Sequence, residues 1–419
     1  MIRPFNREWL RRRRFVLILG LLGPGVIAAN AGNDAGGIAT YASAGSQFVY
    51  RTLFLMVLIT VALVVVQEMS ARLGAYSGEG LMSLIREQFS LRIASGAVVL
   101  IVVANLGLVV AEFAGIGAGF EIFGVSRYIA VPIAALAIWA VVVFGSYRYA
   151  ERVFLLLTLV FLAYPVAVVL GHPDWGQVAT NTLWPHFVAS HAFIVLAVAL
   201  VGTTITPYMQ LFQAAAVSDR GIGPDDYPRE RIDTVGGVVF ASLISMCIII
   251  ATAAAIGGTG PLSSADQAAR ALGPVAGSGA STLFAIGLIG ASALAAAVVP
   301  LSTSYGLAEA VGVERSVSRR FSEARLFLGL FTAQIVFGAS VALLPGNLIH
   351  LLIGTQVLNG IITPVILAFI LMLSNRRSIL GDSVNSPRFR VVATISVAAV
   401  GSLAVLVVLL GIGSWLGLG

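Results

Sequence analysis

The chain has no lysine; every one of its 25 basic residues is arginine. Its single cysteine, Cys247, is set in an apolar run. One thiol excludes an intrachain disulfide and a cysteine metal cluster, and leaves the redox compartment open. Charge is scarce: 11% of the 419 residues are charged and 58% are hydrophobic, and many separate runs are apolar enough to span a membrane. The threshold for such a span is roughly 18 apolar residues. Short segments of alternating polarity, the signature of a transmembrane barrel, are missing. So are HExxH, a nucleophile elbow, a phosphate loop and paired catalytic carboxylates, which speaks against an enzyme. No long polar segment is present through which a receptor could signal. What remains is an all-α polytopic membrane protein.

The apolar runs give eleven expected spans, at about 15–47, 52–73, 93–122, 128–147, 152–171, 190–217, 233–257, 279–309, 325–345, 347–374 and 390–416. Arg11 to Arg14 ahead of Phe15–Ile27, with Ala29-Asn30-Ala31 behind, would pass for a signal peptide. The apolar run continues to Phe48, so the first helix is expected to be a retained anchor. With the N-terminus cytoplasmic, the outer side keeps only Arg51, Arg127 and Arg270, and all other arginines fall inside. This satisfies the positive-inside rule and, for an odd span count, puts the C-terminus outside. It also accounts for the basic balance without a nucleic-acid partner. Loops are short, and no obligate protein partner is evident. GEGLMSLIREQF, within 75–91, reads as a short amphipathic cytoplasmic helix. Residues 218–232 read as a solvated inner loop, and 258–277 as an outer loop of small residues. Glu68 is expected to be solvated or paired with an arginine such as Arg72.

Two of the spans carry interruptions. The first contains Asp34 near its middle, with Gly32, Gly36 and Gly37 close by. An ionised carboxylate there costs about 3 kcal/mol on insertion scales. Glycine weakens a helix and lets backbone approach a ligand. A helix broken at about 31–37 would leave carbonyls that need a partner, and a cation is the obvious one. The alternative is a packing kink whose carboxyl is hydrogen-bonded or protonated. The second interruption is VGTTITPY, residues 201–208, where Pro207 removes a backbone donor and Thr203, Thr204 and Thr206 can satisfy freed groups. It falls five spans after the first. Consecutive five-span units have opposite orientations, the layout of inverted-repeat transporters whose ligands bind where the first helix of each repeat breaks. The expected architecture is one transport domain: a 5+5 inverted repeat of the leucine-transporter type. Repeat one covers about 15–171, repeat two about 190–374, and an extra helix about 390–416.

LGPGVIAANAGNDAGGIATY, ending at Tyr41, resembles the first helix of the Nramp (natural resistance-associated macrophage protein) metal-ion transporters. That family carries Asp-Pro-Gly-Asn where this chain has Asp34-Ala35-Gly36-Gly37. Gln67 to Phe89 is similar to the family's second helix and following loop, and Thr355 to Pro364 to its tenth helix. Leu380 to Ser386 resembles the loop after that helix. Gly202 to Val217 resembles its sixth helix, with Thr206-Pro207-Tyr208 in place of Met-Pro-His. The resemblance implies a metal site made by Asp34, the carbonyls of Ala31 and Thr203, and Gln356. Gly37 stands where the family has its Asn ligand, and Thr206 where it has its Met ligand.

The departures point to a branch of the family. A thioether favours softer metals over Mg2+, so its loss removes discrimination against hard ions. Two smaller side chains widen the cavity, and Mg2+ retains several waters and binds through one or two carboxylates. The pattern resembles the Nramp-related magnesium transporters, with Mn2+ still able to enter. No cofactor is implied: the ion is the substrate, and the other partner is the bilayer. In the family a third-helix Asp and Glu and the sixth-helix His form a proton route. Here Glu112 remains, Val109 replaces the Asp and Tyr208 replaces the His. His172, His186, His191 and His350 are all expected near the outer face. Uncoupled Mg2+ import is therefore expected, with Glu112 and Tyr208 as gating groups or a residual proton path. Glu112 and Glu121 otherwise read as hydrogen-bonded or protonated carboxyls facing the bundle. Two other readings stay open: proton-coupled Mn2+/Fe2+ transport of the ordinary Nramp kind, and carriage of an organic substrate, whose carboxylate Asp34 would repel.

Overall fold

A computed structural model describes residues 33–144, 159–311 and 325–415. Ala31 and most of the expected first span lie outside the described residues. The helices used below are α1 (Ala35–Phe48), α2 (Leu53–Ser77), α3 (Leu81–Gln88), α4 (Leu91–Ile122), α5 (Arg127–Val143), α6 (Ala163–Leu170) and α7 (Trp175–Leu183). They continue with α8 (His191–Thr204), α9 (Pro207–Asp219), α10 (Tyr227–Ile256), α11 (Ala280–Val311), α12 (Arg325–Ala342), α13 (Leu348–Ser374) and α14 (Pro387–Trp415). Their starts follow local chemistry. Ser90, Ser126, Ser190 and Asn347 each accept a backbone amide from the first turn of α4, α5, α8 and α13. Such caps satisfy donors that a helix start leaves open.

Eight described helices are long and apolar enough to cross a membrane, or nine if one bent pair counts as a single span. The count of eleven is not reached among the described residues. The first span is only partly described, and α5 has 17 residues. The fifth span differs most from expectation. After Leu170 the chain turns by 115° into α7, which lies between the expected spans at about 152–171 and 190–217. Asp174 caps α7 by accepting the Gln177 amide at 3.0 Å. Trp175, Leu183, Trp184 and Phe187 are all exposed here, which suits an interfacial aromatic belt. The loop at 258–277 likewise contains short helices at Ala265–Ala269 and Gly273–Ala276.

Packing sorts the spans into two groups. In one, α1 and α2 lie against α10, and α2 against α9. In the other, α4 packs on α11, α12 and α5, and α11 on α12. Spans five apart in the chain thus share a group, as an inverted repeat requires. α13 bridges the groups by touching both α4 and α8, and α14 lies outside, against α13 and α8. Contacts between helices use small residues where backbones approach closely, the usual device where lipid removes a hydrophobic drive. The Gly115–Gly119 run does this within the chain: a Cβ built on Gly119 would lie 2.6 Å from Ile289 Cγ1.

At the expected inner side, one reading needs correction and another is sharpened. The 218–232 stretch is not all solvated loop. α10 begins at Tyr227, and Glu230 is buried, accepting from Gln213 Nε2 at 3.0 Å. Glu68 is buried as well as paired: Arg72 sits 3.3 Å away and Tyr227 donates its hydroxyl. Arg72 also donates to the Ser383 carbonyl at 3.2 Å and to Asn385, tying α2 to the loop after α13. The α3 helix exists as expected, but its apolar face (Leu81, Met82, Leu84, Ile85) is buried in the protein. Arg72→Ala would leave Glu68 Oε2 without its guanidinium and Asn385 without its donor, although Tyr227 still donates to Glu68 Oε1. It is expected to cost about 3 kcal/mol, read as a lowered unfolding midpoint of the detergent-solubilised chain. An unchanged midpoint would show this network to be ornamental.

Candidate ion site at two helix breaks

The second break follows directly from Pro207. In an unbroken helix the amide of residue 207 would bond to the Thr203 carbonyl; proline has no such hydrogen, so that oxygen is left over. The residue before proline is pushed to extended backbone. Thr206 accordingly has φ −75° and ψ 143°, and α8 stops at Thr204. The neighbouring Ile205 carbonyl receives the Thr363 hydroxyl of α13 at 3.0 Å. At the first expected break the described chain begins at Asn33. Asp34 caps α1, its Oδ1 accepting the Gly37 amide at 2.7 Å. Gly36 and Gly37 therefore lie in the first turn of α1 rather than in the gap, and Gly37 contributes its amide to the carboxylate.

The two breaks and α13 meet. A Cβ built on Gly202 would lie 2.0 Å from the Gln356 carbonyl, so α8 and α13 touch backbone to backbone. A Cβ built on Gly36 would lie 1.8 Å from Gln356 Nε2, so the carboxamide rests on the start of α1. Tyr41 of α1 shares a 2.9 Å hydrogen bond with Thr204 of α8. Asp34, Thr203, Thr206, Tyr208, Gln356 and Glu112 are all at most 2% exposed. Several of their polar atoms have no hydrogen-bond partner: Asp34 Oδ2, Thr203 Oγ1, Thr206 Oγ1, Glu112 Oε1 and both amide atoms of Gln356. Buried polar groups in proteins are nearly always paired, so such a concentration asks for a ligand. All the oxygens among them are hard donors. Among the described residues no three His, Cys, Asp or Glu come together.

The Gln356 carboxamide, resting on Gly36, takes part of the room expected from the two small replacements. Tyr208 sits at the first turn of α9 as an electrostatic neighbour of both Asp34 and Glu112. Val109 is buried against α12, where a Cβ on Gly338 would lie 2.5 Å from Val109 Cγ1. Glu121 does not face the bundle; it is half-exposed and 3.8 Å from Arg127. That pair lines a cavity of about 310 Å³ with Asp266 and Asn347, away from the breaks. Sequence reasoning missed Tyr41, Thr363 and Asn33. Asn33 accepts from Ser245 of α10 at 2.9 Å and so fixes the chain entering the gap. Tyr41 could have been found, since it lies two helical turns from Asp34 on the same face.

A sixth span broken at Pro207 and facing the Asp34-capped start of α1, with spans five apart grouped together, defines a secondary transporter of the leucine-transporter type. Solved structures agree on the fold. A mutant of the manganese transporter of Eremococcus coleocola superposes with TM-score 0.74 at 18% identity, covering 99% of this chain and 90% of that one. MhsT in complex with L-phenylalanine gives TM-score 0.58 at 14% identity, over 92% and 97%. Residues 25–410 match the family model for natural resistance-associated macrophage protein-like (Nramp) proteins, and the chain belongs to that family. Among its relatives, the divalent metal cation transporter MntH of Verminephrobacter eiseniae is 28% identical, covering 93% of this chain and 89% of its own. The transporter of the same name from Aeromonas hydrophila is 28% identical over 91% and 93%.

Proposed function

We propose that this chain carries divalent cations, Mg2+ with Mn2+ alongside, into the cell by alternating access and without proton coupling. The observation that carries the reading is the donor set at the two breaks: a carboxylate, a freed carbonyl, threonine hydroxyls and a carboxamide, with no sulfur at the Thr206 position. Oxygen-only donors suit Mg2+ and Mn2+, and Mg2+ exchanges only part of its water for protein. The divalent metal cation transport named for the relatives supports the charge class of the cargo. Asp34, the Thr203 carbonyl, Thr206 and Gln356 would hold the ion, with the Ala31 carbonyl completing the set and Gly37 orienting Asp34. The membrane potential acting on the ion supplies ~2.3 kcal/mol per charge per 100 mV. The N-terminus would be cytoplasmic and the C-terminus outside.

A proton relay needs neighbouring groups that exchange protons. Val109 instead fills a packed contact with Gly338, and Tyr208 occupies the place of the family's histidine. The carboxyl of Glu112 beside Asp34 favours the second reading, proton-coupled Mn2+ or Fe2+ transport of the ordinary Nramp kind. Vesicles loaded with a pH-sensitive dye separate the two. Mg2+ uptake with constant luminal pH is the expected result. Mn2+ uptake that acidifies the lumen and ignores Mg2+ would overturn it. Restoring a thioether with Thr206→Met is expected to raise Mn2+ over Mg2+ uptake about tenfold, because sulfur favours the softer ion. An unchanged ratio in a competition assay would argue against placing Thr206 beside the ion.

A further inference from the structure

Glu112 is the one fully buried carboxylate near the breaks to which the site above gives no contact with the ion. We propose that Glu112 is the second carboxylate of the site and grips a divalent cation through its water shell, opposite Asp34. The inference rests on reading this site as a divalent-cation site.

Placement comes first. Gly115 of α4 packs directly on the start of α1: a Cβ built there would lie 2.3 Å from Ala35 Cβ and 2.4 Å from Ser292 Oγ. Because Gly115 lacks that atom, α1 sits down on α4, and Glu112, one turn away, is brought beside Asp34. The Ala35 amide points at Glu112 Oε2 across 3.5 Å. The two carboxyl groups are close enough to share a hydrogen bond and to feel each other's charge. Each keeps one buried oxygen with no partner, Asp34 Oδ2 and Glu112 Oε1. Among the described residues, the ion pairs of arginine go to Glu68 and Glu121, and none reaches this pair. Two adjacent buried carboxyl groups without a cationic side chain share a proton when the site is empty and can exchange it for an external cation. A divalent ion supplies the matching charge in one particle.

An independent feature lies at the start of α1. Gln356 is fully buried, both of its amide atoms lack partners, and it lies over Gly36. A ligand with its own water shell satisfies the carboxamide oxygen and Glu112 together, since ion-bound waters donate to both. Mg2+ keeps several waters when bound, so Glu112 acts without touching the metal. The neighbouring turn of α4 offers Val109, packed on Gly338, which provides nothing to pass a proton to. Glu112 therefore serves charge matching of the cargo.

The test is calorimetric titration of the purified full chain in lipid nanodiscs with MgCl2 and, separately, MnCl2. Glu112→Gln keeps the volume and an acceptor for the Ala35 amide and loses only the charge. It is expected to weaken binding of both ions at least tenfold with an unchanged ion-free unfolding midpoint, while Glu112→Asp binds within about threefold of wild type. Wild-type affinity in Glu112→Gln overturns the proposal. So does weak binding by both variants with a lowered ion-free midpoint, which assigns Glu112 to capping α1. If the unaltered chain binds neither ion, the reading of the site itself fails, a result separate from either variant's.

Discussion

Asp34→Ala is expected to abolish divalent-cation uptake, with a loss of at least 100-fold and the fold retained. The loss corresponds to about 3 kcal/mol of ion stabilisation, at 1.4 kcal/mol per tenfold. That is a modest demand on the formal charge nearest the helix gap. The effect on stability is expected to be small because two contributions oppose. Alanine loses the cap that Asp34 makes to the Gly37 amide, which costs about 1 kcal/mol. It also removes a buried carboxylate oxygen that has no partner, which relieves a desolvation cost of opposite sign and similar size. Asp34→Asn separates the two, since an amide oxygen still caps α1 while the charge is gone. Uptake into vesicles should vanish in both variants, and gel filtration and the ion-free unfolding midpoint should match the unaltered chain. Normal uptake by Asp34→Asn would show that the carboxylate is a packing feature of a kinked helix.

Gly202→Ala is expected to be the most damaging single methyl addition, lowering stability by about 3 kcal/mol and removing transport. Its Cβ would meet the Gln356 carbonyl at 2.0 Å and the Gly360 amide nitrogen at 2.4 Å. Both obstacles are backbone, so no rotamer change relieves them, and α8 must move off α13. Gly360→Ala approaches the same seam from the other side, 2.2 Å from the Val198 carbonyl. The seam matters to function because α13 carries Gln356 over the α1 start and Thr363 onto the Ile205 carbonyl. Gly236→Ala is the matched control: it lies within α10 with nothing within 4 Å, and should be neutral or slightly stabilising. Midpoints measured in one detergent decide this. Equal midpoints for Gly202→Ala and Gly236→Ala would mean that the α8–α13 seam is not closely packed.

Much of this was legible in the sequence because membrane helices announce themselves by length and composition, and because proline acts locally. The break at Thr206 could be foreseen from Pro207 alone. The family followed from segments spread over most of the chain, above all the two interrupted helices. Three things were hidden. The α7 helix is short and amphipathic, and its polar cap at Asp174 resembles any loop. The inner polar network joins Arg72 to Asn385 and Glu68 to Tyr227, residues far apart in the chain whose meeting depends on helix rotation. The approach of Glu112 to Asp34 depends on one missing side chain at Gly115, a glycine that sequence could assign to close packing without naming what it packs on. Long-range juxtaposition of this kind is set by tertiary fit, which periodicity does not encode.

The most direct test of the central claim is an anomalous difference map from crystals of the full chain grown with Mn2+, which shares the oxygen chemistry of Mg2+. The expected result is its strongest peak in the gap between α8 and α9, bonded to or one water from Asp34, and displaced when Mg2+ is added in excess. A map whose peak lies only at the Glu121–Asp266 cavity, or one with no density at the two breaks, would contradict it.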